Sequence, residues 1–274
     1  MTAKEALELA LELAGLAEVP ADSGVLVPGN LGEKILFAID VGVAELLLAR
    51  ELGASGVIAH HPPGGLPRLG WHEVLWRHAE LLISYGVPEE EAKAAVEELV
   101  REFSARDHTA NYDHVPAAAR ALGLPLVGIH TPLDELGRRR LAAAVENLPP
   151  GATLGELVEA LGSLPELVNA ATQVEIRLGD PARPAGNVAV LHGAGTNGGY
   201  PVAACAFRHG IDTVIYIHCS DQAARKLAAE FPGKNLVVTG HIASDSLGIN
   251  PFLAELRSRG LEVIPLDVIP GNRG

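Results

Sequence analysis

Hydrophobic residues in the opening stretch MTAKEALELALELAGLAEVP recur at helical spacing among glutamates, which predicts an amphipathic helix. A signal peptide would instead show a basic start, an unbroken apolar stretch and a cleavage site. Further on, short apolar runs alternate with helical segments. Lys34–Ile39 reads as a strand, Val43–Leu52 as a helix closed by Gly53, and Gly56–Ala59 as a second strand, together a βαβ unit. Helical periodicity returns around His72–Tyr85, and again from Pro88 through EEEAKAAVEELVREF. Asp107–Pro116 is polar and without period, and reads as a loop. Ala117–Leu122 follows as a short helix, Pro125–Ile129 as a strand and Leu141–Asn147 as a helix.

Pro149, Pro150 and Gly151 interrupt the chain, and Thr153 with Glu156 has the form of a capping box that opens another helix. The theme then repeats. Strands are expected at Val174–Leu178, Asn187–Leu191, Asp212–Ile217, Asn235–Thr239 and Glu262–Pro265. Helices are expected at Pro201–His209, Gln222–Phe231 and roughly Leu247–Arg259. The alternation predicts an α/β fold made of two similar α/β lobes, approximately 1–150 and 151–274, within a single domain.

Of the 274 residues 48% are hydrophobic, enough for a real core, yet no apolar run is long enough to cross a bilayer. The net charge of −13 argues against general binding to nucleic acid or to an anionic membrane, since both depend on Lys and Arg. Cys205 and Cys219 are the only cysteines and form no CxxC. Neither a disulfide framework nor a cysteine zinc site is expected, and a reducing cytoplasm fits. There are 11 histidines, several of them beside turns.

Ligands of open α/β sheets gather beyond the carboxyl ends of the strands. His60, His130, His218 and His241 each stand there, directly after an apolar run. His60 and His61 precede Pro62-Pro63-Gly64-Gly65, where a turn lets two imidazoles leave the opposite faces of a strand. Alternatively, one is a core histidine and the other is exposed. In His130-Thr-Pro-Leu-Asp134, imidazole and carboxylate suit borderline divalent ions, but Thr131 and Asp134 also have the spacing of a helix cap with an acidic first turn. His241 and Asp245 lie four residues apart, on one face if the segment is helical, and Ser244 or Asp245 could equally cap a helix that follows. Asp107–His114 has the composition of a lid or substrate contact, with His108 its candidate. The turn His192–Gly199, with Gly195 and Gly198, could cradle a phosphate or simply permit a tight bend. There is no GxSxG, and Cys219 reads as a packing residue.

Taken together and in this order, HHPPG, HTPLD and GHIASDSLG resemble the signature of the NIF-three-like family, whose members are often called GTP cyclohydrolase I type 2 homologues. The ending with Asp245, where a glutamate is usual, resembles a longer-form branch, and the region 88–125 is expanded. The resemblance implies a dinuclear metal site in a cleft between two lobes, with two divalent transition-metal ions (Zn, Mn, Fe or Co). The ligands it implies are His60, His61, Asp134, His241 and Asp245. His130 would stand behind these ligands or bind marginally, and the chain would form a homo-oligomer, commonly a ring-shaped hexamer. A metal-dependent hydrolase acting on a nucleotide-like or phosphorylated small molecule is the first functional expectation. The alternative is a metal-binding adaptor, or a metal storage or chaperone protein, without turnover.

Overall fold

The computed structural model describes residues 1–271. Helix α1 (Ala3–Ala14) opens on a capping box in which Thr2 and Glu5 each accept the other's backbone N–H, and it closes on Gly15. Strands β1 (Gly24–Val27) and β2 (Lys34–Ala38) precede α2 (Val43–Glu51), where Glu45 accepts the Gly42 N–H, and β3 (Gly56–Ala59). Short helices α3 (Gly65–Leu69), α4 (Trp71–Val74) and α5 (Arg77–Ser84) lead to the long α6 (Glu89–His108). Then come α7 (His114–Leu122), β4 (Leu126–Gly128) and α8 (Thr131–Glu146). Helix α9 (Leu154–Gly162) carries the capping box expected of Thr153 and Glu156, and α10 (Pro165–Asn169) starts on a proline. The rest is β5 (Glu175–Leu178), β6 (Val188–Val190), α11 (Gly199–Arg208), β7 (Thr213–Tyr216), α12 (Asp221–Glu230), β8 (Asn235–Val238), α13 (His241–Ser258) and β9 (Glu262–Leu266). Among the described residues no helix is long and apolar enough to cross a membrane.

The α/β architecture is as the alternation implied, and it comprises two compact units. The first takes Met1–Val74, Arg101–Leu136 and Gly248–Val268. The second takes Leu75–Val100, Gly137–Leu247 and, of the described residues, 269–271. In the first unit the sheet order is β1-β4-β3-β2-β9, parallel except for β1, which pairs antiparallel with β4. Strand β3 is buried at all four positions, with Leu46 and Ala49 of α2 and Val115 and Ala119 of α7 packing against one face of it, Val57 and Ala59. Burial on both faces explains its unbroken apolar run. In the second unit the order is β5-β8-β7-β6, again parallel except for the first strand, β5. Leu154, Leu157 and Leu161 of α9 and Ala243 and Leu247 of α13 cover Val190, Ile215 and Val237.

Several stretches differ from the sequence reading: α8 begins at Thr131 rather than Leu141, and α10 is absent from that reading. Strand β1, which pairs only along β4, is also absent from that reading. The expected loop 107–116 is largely the end of α6 and the start of α7. Helix α13 begins at His241 rather than near Leu247, although Gly248 and Pro251 both lie inside it. Pro251 has no N–H for the Leu247 carbonyl one turn earlier. Arg140 supplies a donor instead, its Nη1 reaching the Leu247 oxygen at 3.0 Å. The buried Glu166 holds that guanidinium through paired contacts of 2.7 and 3.0 Å. Arg140→Leu would remove the paired contacts from the buried Glu166 carboxylate and the side-chain donor from the Leu247 carbonyl. Urea unfolding of this variant should show a loss of about 3 kcal/mol. A loss below about 0.5 kcal/mol, the range of ordinary surface changes, would contradict the assignment.

Helix α5 pins the turn between β6 and α11: Arg77 Nε donates to the Gly193 oxygen at 2.8 Å and His78 Nε2 to the Thr196 oxygen at 2.9 Å. Burial lowers the His78 pKa to about 4, with His192 and Arg77 adding to the effect and the bond to Thr196 opposing it. Unfolded, the same ring protonates near 6.5. Between those values the unfolded chain binds the extra proton, so stability present above pH 6.5 is lost as pH falls toward 4. Measured in chelator, the drop in unfolding free energy from pH 7 to pH 4.5 should be about 2–3 kcal/mol smaller in His78→Gln than in the parent. Equal drops would refute a neutral buried imidazole.

Candidate metal centre

In the first unit, the β2–β3 ladder continues past β3, with the His60 and His61 N–H groups donating to Ala38 and Ile39 at 2.9 Å each. The chain then turns sharply over Pro62–Gly65. A Cβ at Gly64 would lie 2.4 Å from the Tyr112 oxygen, and Gly65 takes φ +64°, so both positions need glycine. His130 stands two residues beyond β4. The ring centroids of His60 and His130 are 4.9 Å apart, those of His60 and His61 5.0 Å, and those of His61 and His130 5.4 Å. Each of these three residues offers a ring nitrogen within 4.8 Å of the other two. Asp134, buried in the first turn of α8, has Oδ1 3.3 Å from His60 Nε2 and Oδ2 3.6 Å from His130 Nε2.

The hydrogen bonds on the far side of each ring decide what the cluster can do. His60 Nδ1 lies 3.1 Å from the Ile129 carbonyl oxygen, His61 Nδ1 2.8 Å from Asp40 Oδ1, and His130 Nδ1 2.7 Å from Asp22 Oδ2. A carbonyl or carboxylate oxygen accepts, so each Nδ1 carries a proton, and in the neutral ring the lone pair is then on Nε2. Metal-binding histidines are oriented in this way. Asp22 is fully buried and also accepts from Thr131 Oγ1 at 2.7 Å. Its neighbour Ser23 takes the His130 N–H through Oγ at 3.0 Å. Trp71 stands edge-on to His130 at 5.4 Å, with the Arg68 guanidinium 5.4 Å from the Trp71 ring centre.

The second unit presents a matching pair. His241 is the first residue of α13 and Asp245 lies one turn on, with His241 Nε2 3.4 Å from Asp245 Oδ2. Gly240 before them has φ +94°, and a Cβ there would approach Thr172 Oγ1 to 2.6 Å. Ser244 and Ser246 donate back to the carbonyls of Gly240 and Ile242, each at 2.6 Å. They are thus interior residues of the helix and not its caps. The His218 ring lies 4.7 Å from that of His241.

The remaining candidates fall elsewhere. His108 is exposed at the end of α6, outside the histidine cluster. Its neighbour Asp107 is buried and serves structure, binding Arg68 and taking the His72 N–H at 3.0 Å. Gly195 sits at φ +77°, and a Cβ on Gly198 would meet Val202 at 2.4 Å, so the backbone path accounts for both glycines. Sequence reasoning missed Asp22, Asp40 and Trp71. Each is a solitary residue in a turn or short helix, without a partner at a telling spacing.

Comparison with known proteins places this geometry. No family model and no curated protein matches the chain. Among solved structures, a NIF3 superfamily protein from Sphaerobacter thermophilus is 46% identical, with a TM-score of 0.94 over 97% of this chain and 98% of that one. The chain belongs to the NIF3 superfamily. HcgD from Methanocaldococcus jannaschii, in its reduced form, is similar in fold at 18% identity and a TM-score of 0.60, covering 97% of this chain and 98% of its own. TTHA1606 from Thermus thermophilus is similar at 15% identity and a TM-score of 0.55, over all of both chains.

For this NIF3 superfamily member, the orientation of His130 by Asp22 makes a separable prediction. Asp22→Ala frees the ring without removing an imidazole, and should weaken zinc binding roughly 10–100-fold by competition titration. Unchanged affinity would mean that the Asp22–His130 bond does nothing for metal.

Proposed function

We propose that the chain holds two divalent transition-metal ions, of Zn, Mn, Fe or Co type, through His60, His61, Asp134, His241 and Asp245. In this reading it hydrolyses a nucleotide-like or phosphorylated small molecule. The observation that carries the proposal is the shared orientation of the first unit's histidines: each has its Nδ1–H engaged by an oxygen, leaving Nε2 as donor atom. Imidazole nitrogen with carboxylate oxygen is the donor set of borderline divalent ions. His130 has the same tautomer and is assigned here to the same centre. His241 and Asp245 offer a second imidazole–carboxylate pair at 3.4 Å, and we assign it to the same dinuclear centre. Bound there, such ions would lower the pKa of a coordinated water and polarise a phosphoryl group or ring carbon. The protein's own part is to hold the donors and their protons in place. Asp40 and Asp22 keep His61 and His130 from turning, and Asp134, close to two Nε2 atoms, suits a bridging position. We extend the proposal to a homo-oligomer, the ring-shaped hexamer that the family resemblance implies.

A second reading, metal binding without turnover, is favoured by His241, whose side chain is 49% exposed and would let an ion exchange readily. Elemental analysis after dialysis should find about two ions per chain in the parent, and fewer in His241→Ala and Asp245→Ala. The loaded protein should hydrolyse at least one compound in a panel of nucleotides and phosphoesters, and stripping the metal should abolish that activity. Full metal content in both variants would remove His241 and Asp245 from the centre. Metal without hydrolysis of any compound would favour the second reading.

A further inference from the structure

His218 follows β7 much as His60 follows β3, and its ring lies 4.7 Å from that of His241. By position it reads as one more ligand, but its hydrogen bonding is opposite to that of the other three. Its Nδ1 meets the side-chain amide of Asn197 at 2.9 Å. The orientation of that amide is fixed, because Asn197 Oδ1 accepts the Gly199 N–H at 2.9 Å; flipping it would set N–H against N–H. Asn197 Nδ2 therefore donates, His218 Nδ1 accepts, and the neutral ring carries its proton on Nε2. A nitrogen bearing a proton has no lone pair for a metal ion.

We propose that His218 serves the centre as a hydrogen-bond donor to a phosphoryl or carbonyl oxygen of the bound molecule, and that Asn197 is the positioning residue that sets this role. The inference rests on the metal centre proposed above and adds the chemistry of what binds beside it: an oxygen that only accepts. It also gives the glycine-rich turn a purpose. Arg77 and His78 of α5 hold the turn by the Gly193 and Thr196 carbonyls, and the left-handed Gly195 and Gly199 carry the chain around Asn197. The turn is a frame for one amide.

The test uses zinc-loaded protein labelled with 15N in its histidine rings, with the His218 signals assigned by their loss in His218→Gln. His218 should show a protonated Nε2 and a bare Nδ1. Asn197→Asp, which replaces a donor by an acceptor, should move the proton to Nδ1. Zinc content should be the same in His218→Ala and His218→Gln as in the parent. Inorganic phosphate, the probe, should bind the zinc-loaded parent roughly 10–100-fold more tightly than His218→Ala. The side-chain amide of His218→Gln should restore part of that difference. A proton on Nδ1 in the parent, zinc lost from His218→Gln, or equal phosphate affinity in the parent and His218→Ala would each overturn the proposal. Protein that takes up no zinc would overturn the metal centre instead, and the spectrum of the metal-free protein would still decide the tautomer.

Discussion

An imidazole can give a lone pair to a metal from one nitrogen only while the other keeps the proton, and the proton stays where an acceptor waits for it. Much of the first unit's construction supplies those acceptors. The Ile129 carbonyl for His60 comes from the end of β4, the strand beside β3. Asp40, for His61, stands just past β2, where its own N–H and that of Ile39 are taken by Asp267 at 3.4 and 2.8 Å. Asp267 follows β9, on the other side of β2, and accepts a left-handed backbone, φ 49°, to reach them. Asp22 lies ahead of β1. Four strands of the five-stranded sheet thus end or begin beside a group that orients a histidine or forms part of the cluster, and the fifth, β9, is followed by Asp267, which holds the backbone of Asp40.

The second unit repeats the plan with different content. Numbered within its own unit, each sheet runs in the order 1-4-3-2 with strand 1 antiparallel, and the first unit adds β9 beyond. In each unit the fourth strand leads to a helix start with a histidine and an aspartate four residues apart, His130 just before α8 with Asp134 and His241 at the head of α13 with Asp245. The third strands end in His60 and, one residue further, His218. The departure lies at this last pair: Ile129 gives His60 an acceptor, whereas Asn197 gives His218 a donor. One topology therefore presents one imidazole as a lone pair and its counterpart as an N–H.

What the sequence disclosed follows from which interactions are local. Buried parallel strands need apolar side chains on both faces, so GVIA, TVIY and NLVV stand out, and the histidines after them inherit a strand-end position. Histidine and aspartate one helical turn apart are equally legible at 130–134 and 241–245. Asp22 is not, because it meets His130 across 108 residues of chain, and Asp40 becomes meaningful only once β2 lies beside β3. The start of α13 was hidden for a related reason. Gly248 and Pro251 argue locally for a helix beginning, and the Arg140 that replaces the missing donor lies 107 residues from the carbonyl it serves.

Anomalous diffraction from crystals of the protein equilibrated with zinc addresses the dinuclear centre most directly. Two peaks per chain should appear roughly 3.5–4 Å apart. The Nε2 atoms of His60 and His61 should lie about 2.0–2.1 Å from zinc, with their Nδ1 atoms still on Ile129 and Asp40. No peak at these residues, or zinc held through Nδ1 with the rings turned away from those acceptors, would contradict the account.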